Sequence, residues 1–373
     1  MKTETLNLSI PNKDSIPIYI GYNCIKESLQ QCNLNNKRVF IVTQDVLLAP
    51  YVNSIKEFLE TTLNTMCTII TVSQSEEAKS LQSFQSCLDK MFEVGVERQD
   101  VVIGFGGGVV TDLAGFIASS CLRGLDLIQI PTTLLAQVDA AIGGKTGINH
   151  KTGKNLIGSF YQPSSIIMDL ICLETLPIDE FSSGFGEVLK YAFICDAELF
   201  SILKNNAEAL KKFDIVSNKD LFKEIISKSC QNKIDVVEAD EKESNLRAIL
   251  NFGHTIGHAI EALFNYSTYK HGQCVVFGMC AATFISHKKG LISQEIAHEI
   301  YTLVQDYDYH KTKLIKVDKR KSIEIIKRDK KVKQQIIRFI LPTDRNAVKL
   351  FDNITVDEIY DSIDFIENFF KGE

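Results

Sequence analysis

No run of about 18 uninterrupted apolar residues occurs in the 373-residue chain, so the sequence offers no membrane-spanning helix. The opening residues Met1-Lys2-Thr3-Glu4-Thr5-Leu6 lack the basic stretch and apolar core of a secretory signal peptide. None of the ten cysteines forms a CxxC pair, and a chain this long needs no disulfide staples. They read as small buried hydrophobes in a reducing compartment, which makes the expected location cytoplasmic. Basic charge is not in excess: 41 Lys and Arg against 47 Asp and Glu leave a net charge of −6, which argues against a general nucleic-acid binder. What is there is ordinary globular composition, 45% hydrophobic and 24% charged, enough for a sizeable core and for two domains.

The first half alternates short apolar runs with amphipathic stretches. Val39–Thr43, Cys67–Val72, Val101–Phe105, Leu127–Pro131 and Ser165–Asp169 read as buried strands. Helices are expected at about Tyr51–Leu63 and over the stripe Leu81, Phe84, Leu88 and Phe92. Strands alternating with helices predict an α/β domain with a parallel sheet covered on both faces. Beyond Pro177 the texture changes, and proline is absent until Pro342. The segments Glu198–Phe213, Lys219–Glu238 and Leu246–Phe264 predict a mostly helical second half. The expected division is residues 1–177 and 178–373, with ligands in a cleft between the parts. Lys311–Arg338 holds 12 basic and 3 acidic residues, which reads first as a solvated helix face.

Three segments carry chemistry. Gly106-Gly107-Gly108 follows a buried strand and opens an apolar helix, a setting in which backbone can approach a phosphate at a helix start. It is neither GxGxxG, because position 109 is Val, nor a Walker A loop. Gly143-Gly144-Lys145, followed by Gly153-Lys154-Asn155, sets lysines and an amide beside glycines, as an oxyanion or phosphate cradle requires. In Arg247–Glu261, His254 and His258 lie four apart on one helix face, a spacing that suits a divalent metal. The second position of an HExxH helix is here Thr255, so a water-activating base is missing. His271 and Glu187 are further ligand candidates, and the spacing alone leaves open which of the four share an ion.

Together GGGxxxD (106–112), PTTLL (131–135), QVDxxxGGKT (137–146), GKN (153–155), GxxEVxKY (184–191), RxxLNxGHTxGHAIE (247–261), the HG at 271–272 and RDKKV (328–332) resemble the 3-dehydroquinate synthase family, in family order, from about Thr43 to Pro342. The resemblance implies a Rossmann-like N-terminal domain that binds NAD and a helical C-terminal domain that binds one divalent metal, zinc or cobalt. It implies Glu187, His254 and His271 as metal ligands and His258 as a proton-transfer residue. The substrate would be a phosphorylated sugar acid, 3-deoxy-D-arabino-heptulosonate 7-phosphate, converted to 3-dehydroquinate and phosphate in the shikimate pathway.

By the same resemblance, Lys145, Asn155 and a lysine of the RDKKV stretch hold the departing phosphate. Spacing leaves Lys330 and Lys331 as alternatives, with Lys331 favoured. Arg123 would reach the phosphate end from the partner subunit of a homodimer. Arg247 would bind the substrate carboxylate, with Lys190, Lys233, Asn251 and Asp139 on its hydroxyls and ring. Gly106, Gly107, Gly108, Val109, Val110 and Asp112 map to the NAD pyrophosphate turn. Thr132, Thr133, Lys145, Lys154, Cys172 and Thr175 map to its ribose and nicotinamide surroundings, and Glu76 and Lys79 to its adenosine end. The chain departs from the family in this half. Gln74-Ser75-Glu76 stands for Asp-Gly-Glu, Gln44 for the Asn of VTN, and Thr111 for Gly.

Three other readings compete. Another sugar-phosphate cyclase, such as a 2-deoxy-scyllo-inosose or valiolone-type synthase, has no use for Arg247 with Lys233 and Asn251. A metal-dependent polyol dehydrogenase needs no phosphate cradle. A non-enzymatic nucleotide-binding module leaves Glu187, His254 and His271 unexplained.

Overall fold

A computed structural model describes residues 2–11, 14–243, 246–328 and 337–371. The chain forms two compact units, Met1–Leu176 with Lys233–Lys242, and Pro177–Asn232 with Glu243–Glu373. Nothing in the composition marks the return of Lys233–Lys242 to the first unit.

The strands of the first unit are β1 (Glu4–Leu8), β2 (Ile16–Gly21), β3 (Val39–Gln44), β4 (Cys67–Val72), β5 (Val101–Gly106), β6 (Asp126–Pro131), β7 (Lys145–His150), β8 (Gly153–Phe160) and β9 (Ser165–Asp169). Seven of them make one sheet in the order β1-β2-β9-β6-β5-β3-β4, and β7 and β8 make a separate hairpin. Within the sheet every pair is parallel except β1 with β2. β5 and β9 are buried along their whole length, which is why they read as continuous apolar runs. β1 is an antiparallel edge whose Thr5 and Asn7 face solvent, and so lacks the continuous apolar run of a buried strand. The β7/β8 hairpin, glycine-rich and half exposed, lacks such a run as well.

The helices of this half are α1 (Ile25–Gln31), α2 (Asn53–Thr61), α3 (Leu81–Val94) and α4 (Gly108–Ser120). The expected face of α3 is corrected: Leu81 is 56% and Phe92 53% exposed, while Cys87 and Met91 are buried. The inward set is Phe84, Cys87, Leu88 and Met91, at i, i+3, i+4 and i+7, which meets the core between α4 and the sheet. The chain adds β4 outside β3 and then returns to place β5 on the other side of β3. Ligands bind beyond the strand C-termini at such a reversal, and the Gly106–Gly108 turn stands there.

From Ile178 onward the chain is mostly helical: α5 (Ile178–Ile194), α6 (Ala197–Asn205), α7 (Ala207–Leu210), α8 (Lys219–Ala239), α9 (His254–Leu263), α10 (His271–Lys288), α11 (Gln294–Asp306), α12 (Lys319–Arg328) and α13 (Val356–Phe369). An antiparallel hairpin, β10 (Phe339–Asp344) and β11 (Ala347–Phe351), was not expected. Two expected helices are interrupted. Asn206 separates α6 from α7, and Leu246–Asn251 is a 3-10 turn, from which Gly253 at φ +79° leads into α9. Aromatic packing of Phe181 and Phe185 with Phe213, Phe222 and Tyr307 fixes α5. On α10, Phe277 packs edge-on to Phe370.

Candidate active site

Glu187 is fully buried on α5, and its carboxylate pairs with Lys190 one turn later. His254 opens α9 and His271 opens α10. Their Nε2 atoms lie 3.6 and 3.3 Å from Glu187 Oε1. One ligand atom from each of the three fits within a mutual separation of 4.8 Å, the dimension of a cage for one cation. His254 Nδ1 is 3.0 Å from the Phe252 carbonyl, so Nδ1 carries the proton and Nε2 keeps its lone pair toward Glu187. Burial pushes the His254 imidazole well below its usual pKa, against the pull of Glu187, and so keeps it neutral as a ligand must be. At His271 burial is outweighed by Glu187 and Glu261, which raise it to about 10: the position calls for positive charge. A carboxylate with two imidazoles suits zinc or cobalt and leaves coordination positions open.

Two backbone contacts hold the three helices together. A Cβ on Gly272 would stand 1.8 Å from the Ser183 carbonyl oxygen of α5, and one on Gly278 would stand 1.8 Å from the Gly253 carbonyl oxygen at the start of α9. Gly272 follows His271, and Gly253 precedes His254, so each contact is made beside a candidate ligand.

His258 has ring centroids 5.1 Å from His254 and 5.9 Å from His271. It groups with Glu261 and His271 rather than with His254 and Glu187. The HxxxH spacing therefore does not define one shared ion. On the preceding 3-10 turn Arg247 is buried to 1% exposure. Asn251 Nδ2 donates to Glu243 Oε1 at 2.8 Å. Glu243 sits at φ +56° and was not singled out from sequence, where nothing marks it. Glu261 was also missed, although its place seven residues after His254 puts it on the same helix face.

In the first unit the Gly107 carbonyl accepts from Val110 and Thr111 and so begins α4. The N–H groups ahead of these first bonds have no partner within the helix. Thr132 N donates to the Gly106 carbonyl at 3.0 Å, which brings Thr132 and Thr133 alongside the glycine turn. The Val110 side chain is core, and Val109 is half-buried. Lys79 is buried and donates to Asp112 Oδ2 at 2.6 Å and to Asn155 Oδ1, with Glu76 at 3.7 Å. Burial works against its ammonium, but Asp112 and Glu76 hold its pKa above the usual lysine value. Asn149 ties the hairpin to this group, donating to Glu76 at 2.8 Å and accepting from Asn155 N at 2.9 Å. Residues expected at the adenosine end, the pyrophosphate and the departing phosphate thus meet at one ammonium.

Asp139, on the turn Ala136–Ala140, pairs with Lys233. Lys145 is exposed at the start of β7 and Lys154 is half-buried on β8. Arg123 is exposed after α4, in a turn where Leu122 at φ +50° and Arg123 at φ +73° are both left-handed. Thr175 bonds Tyr51 Oη at 2.9 Å. The Cys172 side chain is buried in the core beneath the sheet, where burial raises its thiol pKa. Lys330 and Lys331 lie outside the described residues.

A glycine turn at a parallel-sheet reversal and a helical carboxylate–imidazole cage define a protein of the dehydroquinate synthase-like class. Two solved structures share the fold: 2-deoxy-scyllo-inosose synthase complexed with carbaglucose-6-phosphate, NAD+ and Co2+ (TM-score 0.83, 22% identity, 96% of this chain and 99% of that one) and 2-epi-5-epi-valiolone synthase from Streptomyces hygroscopicus subsp. jinggangensis 5008 with NAD+ and Zn2+ (TM-score 0.85, 22% identity, 97% and 99%). The chain belongs to the 3-dehydroquinate synthase family, matching its N-terminal region over residues 69–183 and its C-terminal region over residues 184–332. The 3-dehydroquinate synthase of Shewanella pealeana is 40% identical over 350 residues, covering 94% of this chain and 96% of that one.

Proposed function

We propose that the protein is a 3-dehydroquinate synthase, a phosphate-eliminating lyase of the shikimate pathway that uses NAD and one divalent cation. The cyclases that lack this activity in their names stand at 22% identity, against 40% for the synthase. In the substrate, oxidation at C5 acidifies the neighbouring C–H, phosphate leaves by β-elimination, C5 is reduced again, and the opened ring closes by an aldol step. When bound, NAD supplies the reversible hydride acceptor and the divalent ion the fixed charge that acidifies the C5 hydroxyl.

The protein's own groups position and move protons. Glu187, His254 and His271 would hold the ion. His258, beside both imidazoles, is suited to proton transfer. Arg247 binds the carboxylate end, and Lys190, Lys233, Asn251 and Asp139 the hydroxyls and ring. Lys145, Asn155 and Lys331 meet the charge that grows on the departing phosphate. Gly106–Gly108, Asp112, Thr132 and Thr133 hold the dinucleotide, with Glu76, Lys79, Lys154 and Thr175. The exposed Arg123, the second of two successive left-handed residues, supports a homodimer in which it serves the neighbouring subunit. No helix among the described residues is long and apolar enough to cross a membrane, and we place the enzyme in the cytoplasm.

One observation carries this reading over a dehydrogenase or a carboxylate-free cyclase. Arg247 is buried, a guanidinium kept from water and suited to a substrate carboxylate. The test is phosphate release from the heptulosonate phosphate, with and without NAD and chelator. Release that needs both cofactors is expected, and NADH accumulation with glycerol would favour the dehydrogenase.

A further inference from the structure

Glu261 is a buried carboxylate beside the cage that the proposed chemistry does not use. It is 6% exposed and its Oε2 lies 3.3 Å from His271 Nδ1. The other nitrogen of that ring, Nε2, lies 3.3 Å from Glu187 Oε1. His271 therefore has a carboxylate at each nitrogen, one from α5 and one from α9. An imidazole that ligates a cation through Nε2 must be neutral, with its proton on Nδ1, and the acceptor at Nδ1 decides tautomer and ring rotation.

We propose that Glu261 is a positioning residue for the cation: by accepting Nδ1–H it holds the His271 ring with Nε2 toward Glu187. The inference rests on the metal-site reading above. The need for such an anchor is local. His271 is the first residue of α10, with no preceding helical turn against its ring, and its side chain is 26% exposed. His254 has its own anchor in the Phe252 carbonyl, and Glu261 does the equivalent for His271 from the neighbouring helix. One face of α9 thus supplies a ligand, His254, and two turns on the anchor for a ligand of α10.

The competing role is direct ligation, because His258, Glu261 and His271 also come within the span of one cation. The test is a cobalt titration of chelator-stripped, full-length protein, read by the visible absorption of bound Co2+ and by competition with a chelating dye. Glu261→Gln keeps an acceptor oxygen at the same reach without the charge, and Glu261→Leu removes it. We expect one equivalent in the parent protein, binding about 10- to 100-fold weaker in Glu261→Leu with a displaced spectrum, and a smaller loss in Glu261→Gln. A purely structural role would lower the melting temperature of the stripped protein and leave the cobalt spectrum of the folded fraction unmoved. That outcome overturns the proposal, as does a second equivalent in the parent that disappears in Glu261→Leu. If Glu261→Leu does not fold, Glu261→Gln decides, and unchanged affinity and band positions overturn the proposal. Parent protein that takes up no cobalt overturns the metal-site reading and this inference with it. Normal uptake by the parent with unaltered variants overturns this inference alone.

Discussion

Replacing Gly272 by alanine tests whether helix contact sets the dimensions of the cage. The added Cβ would stand 1.8 Å from the Ser183 oxygen, where Cβ atoms do not come closer than 3.0 Å. The start of α10 must therefore retreat from α5 by 3.0 − 1.8 = 1.2 Å or more, because the opposing atom is backbone and cannot swing aside. His271 is the adjacent residue and Glu187 lies one turn beyond Ser183, so this shift opens the spacing between two candidate ligands. Metal–ligand distances tolerate about 0.2 Å, and a misplacement of about 1 Å costs on the order of 100-fold at a reacting centre. We expect Co2+ affinity and turnover to fall by at least about that factor, with a stability loss of roughly 1–3 kcal/mol from overpacking. Gly290→Ala is the control. Gly290 lies at φ +71° with nothing within 4 Å of a Cβ, so alanine there strains the backbone by roughly 1–2 kcal/mol without touching the cage. Melting temperature and cobalt titration on both variants separate the effects. A folded Gly272→Ala protein with parental cobalt affinity would refute the reasoning.

Gly108→Ala places its Cβ 3.5 Å from Ala140 Cβ, an ordinary contact, so the fold should survive while calorimetric NAD affinity drops by at least about tenfold. Unchanged affinity would remove the glycine turn from the dinucleotide site. Arg247→Ala should raise KM and lower kcat, with kcat/KM down roughly 10- to 100-fold and NAD affinity nearly intact. A defect confined to NAD binding would contradict the carboxylate assignment. Dialysis against chelator should abolish turnover and added zinc or cobalt restore it, whereas full activity in verified metal-free protein would exclude the cage from the reaction. His271→Ala should lose metal and activity together, and a retained full zinc equivalent by elemental analysis would count against its role.

The sequence revealed most where burial was two-sided. Val101–Phe105 and Ser165–Asp169 have no polar face to dilute the signal, and their strands emerge at these positions. β1 and the β7/β8 hairpin mix buried and exposed positions within five to eight residues, too few for alternation to stand out. On α3, Phe84 and Leu88 of the expected stripe face inward, but Leu81 and Phe92 at its ends face solvent and the smaller Cys87 and the flexible Met91 complete the buried face. At the site, His254 and His258 announce themselves by spacing. The approach of Glu187 and His271 depends on helices touching at glycines, which no local pattern encodes, and only the family resemblance suggested it. The meeting of Lys79, Asp112 and Asn155 was hidden for a related reason. The hairpin folds residue 155 onto residues 76–79, a contact across more than seventy positions.

The burial of the cysteines has its own consequence. Of the ten, Cys195 is exposed and Cys32 half-buried, and the other eight are buried. Burial pushes the Cys24 and Cys67 thiols up to about 12 and Cys87 to about 11, so they stay protonated at neutral pH. Thiolate, not thiol, captures soft metals and attacks alkylating reagents. A protein rich in sulfur thereby avoids becoming its own zinc sponge: an arriving ion meets imidazole and carboxylate, and an electrophile or oxidant meets chiefly Cys195.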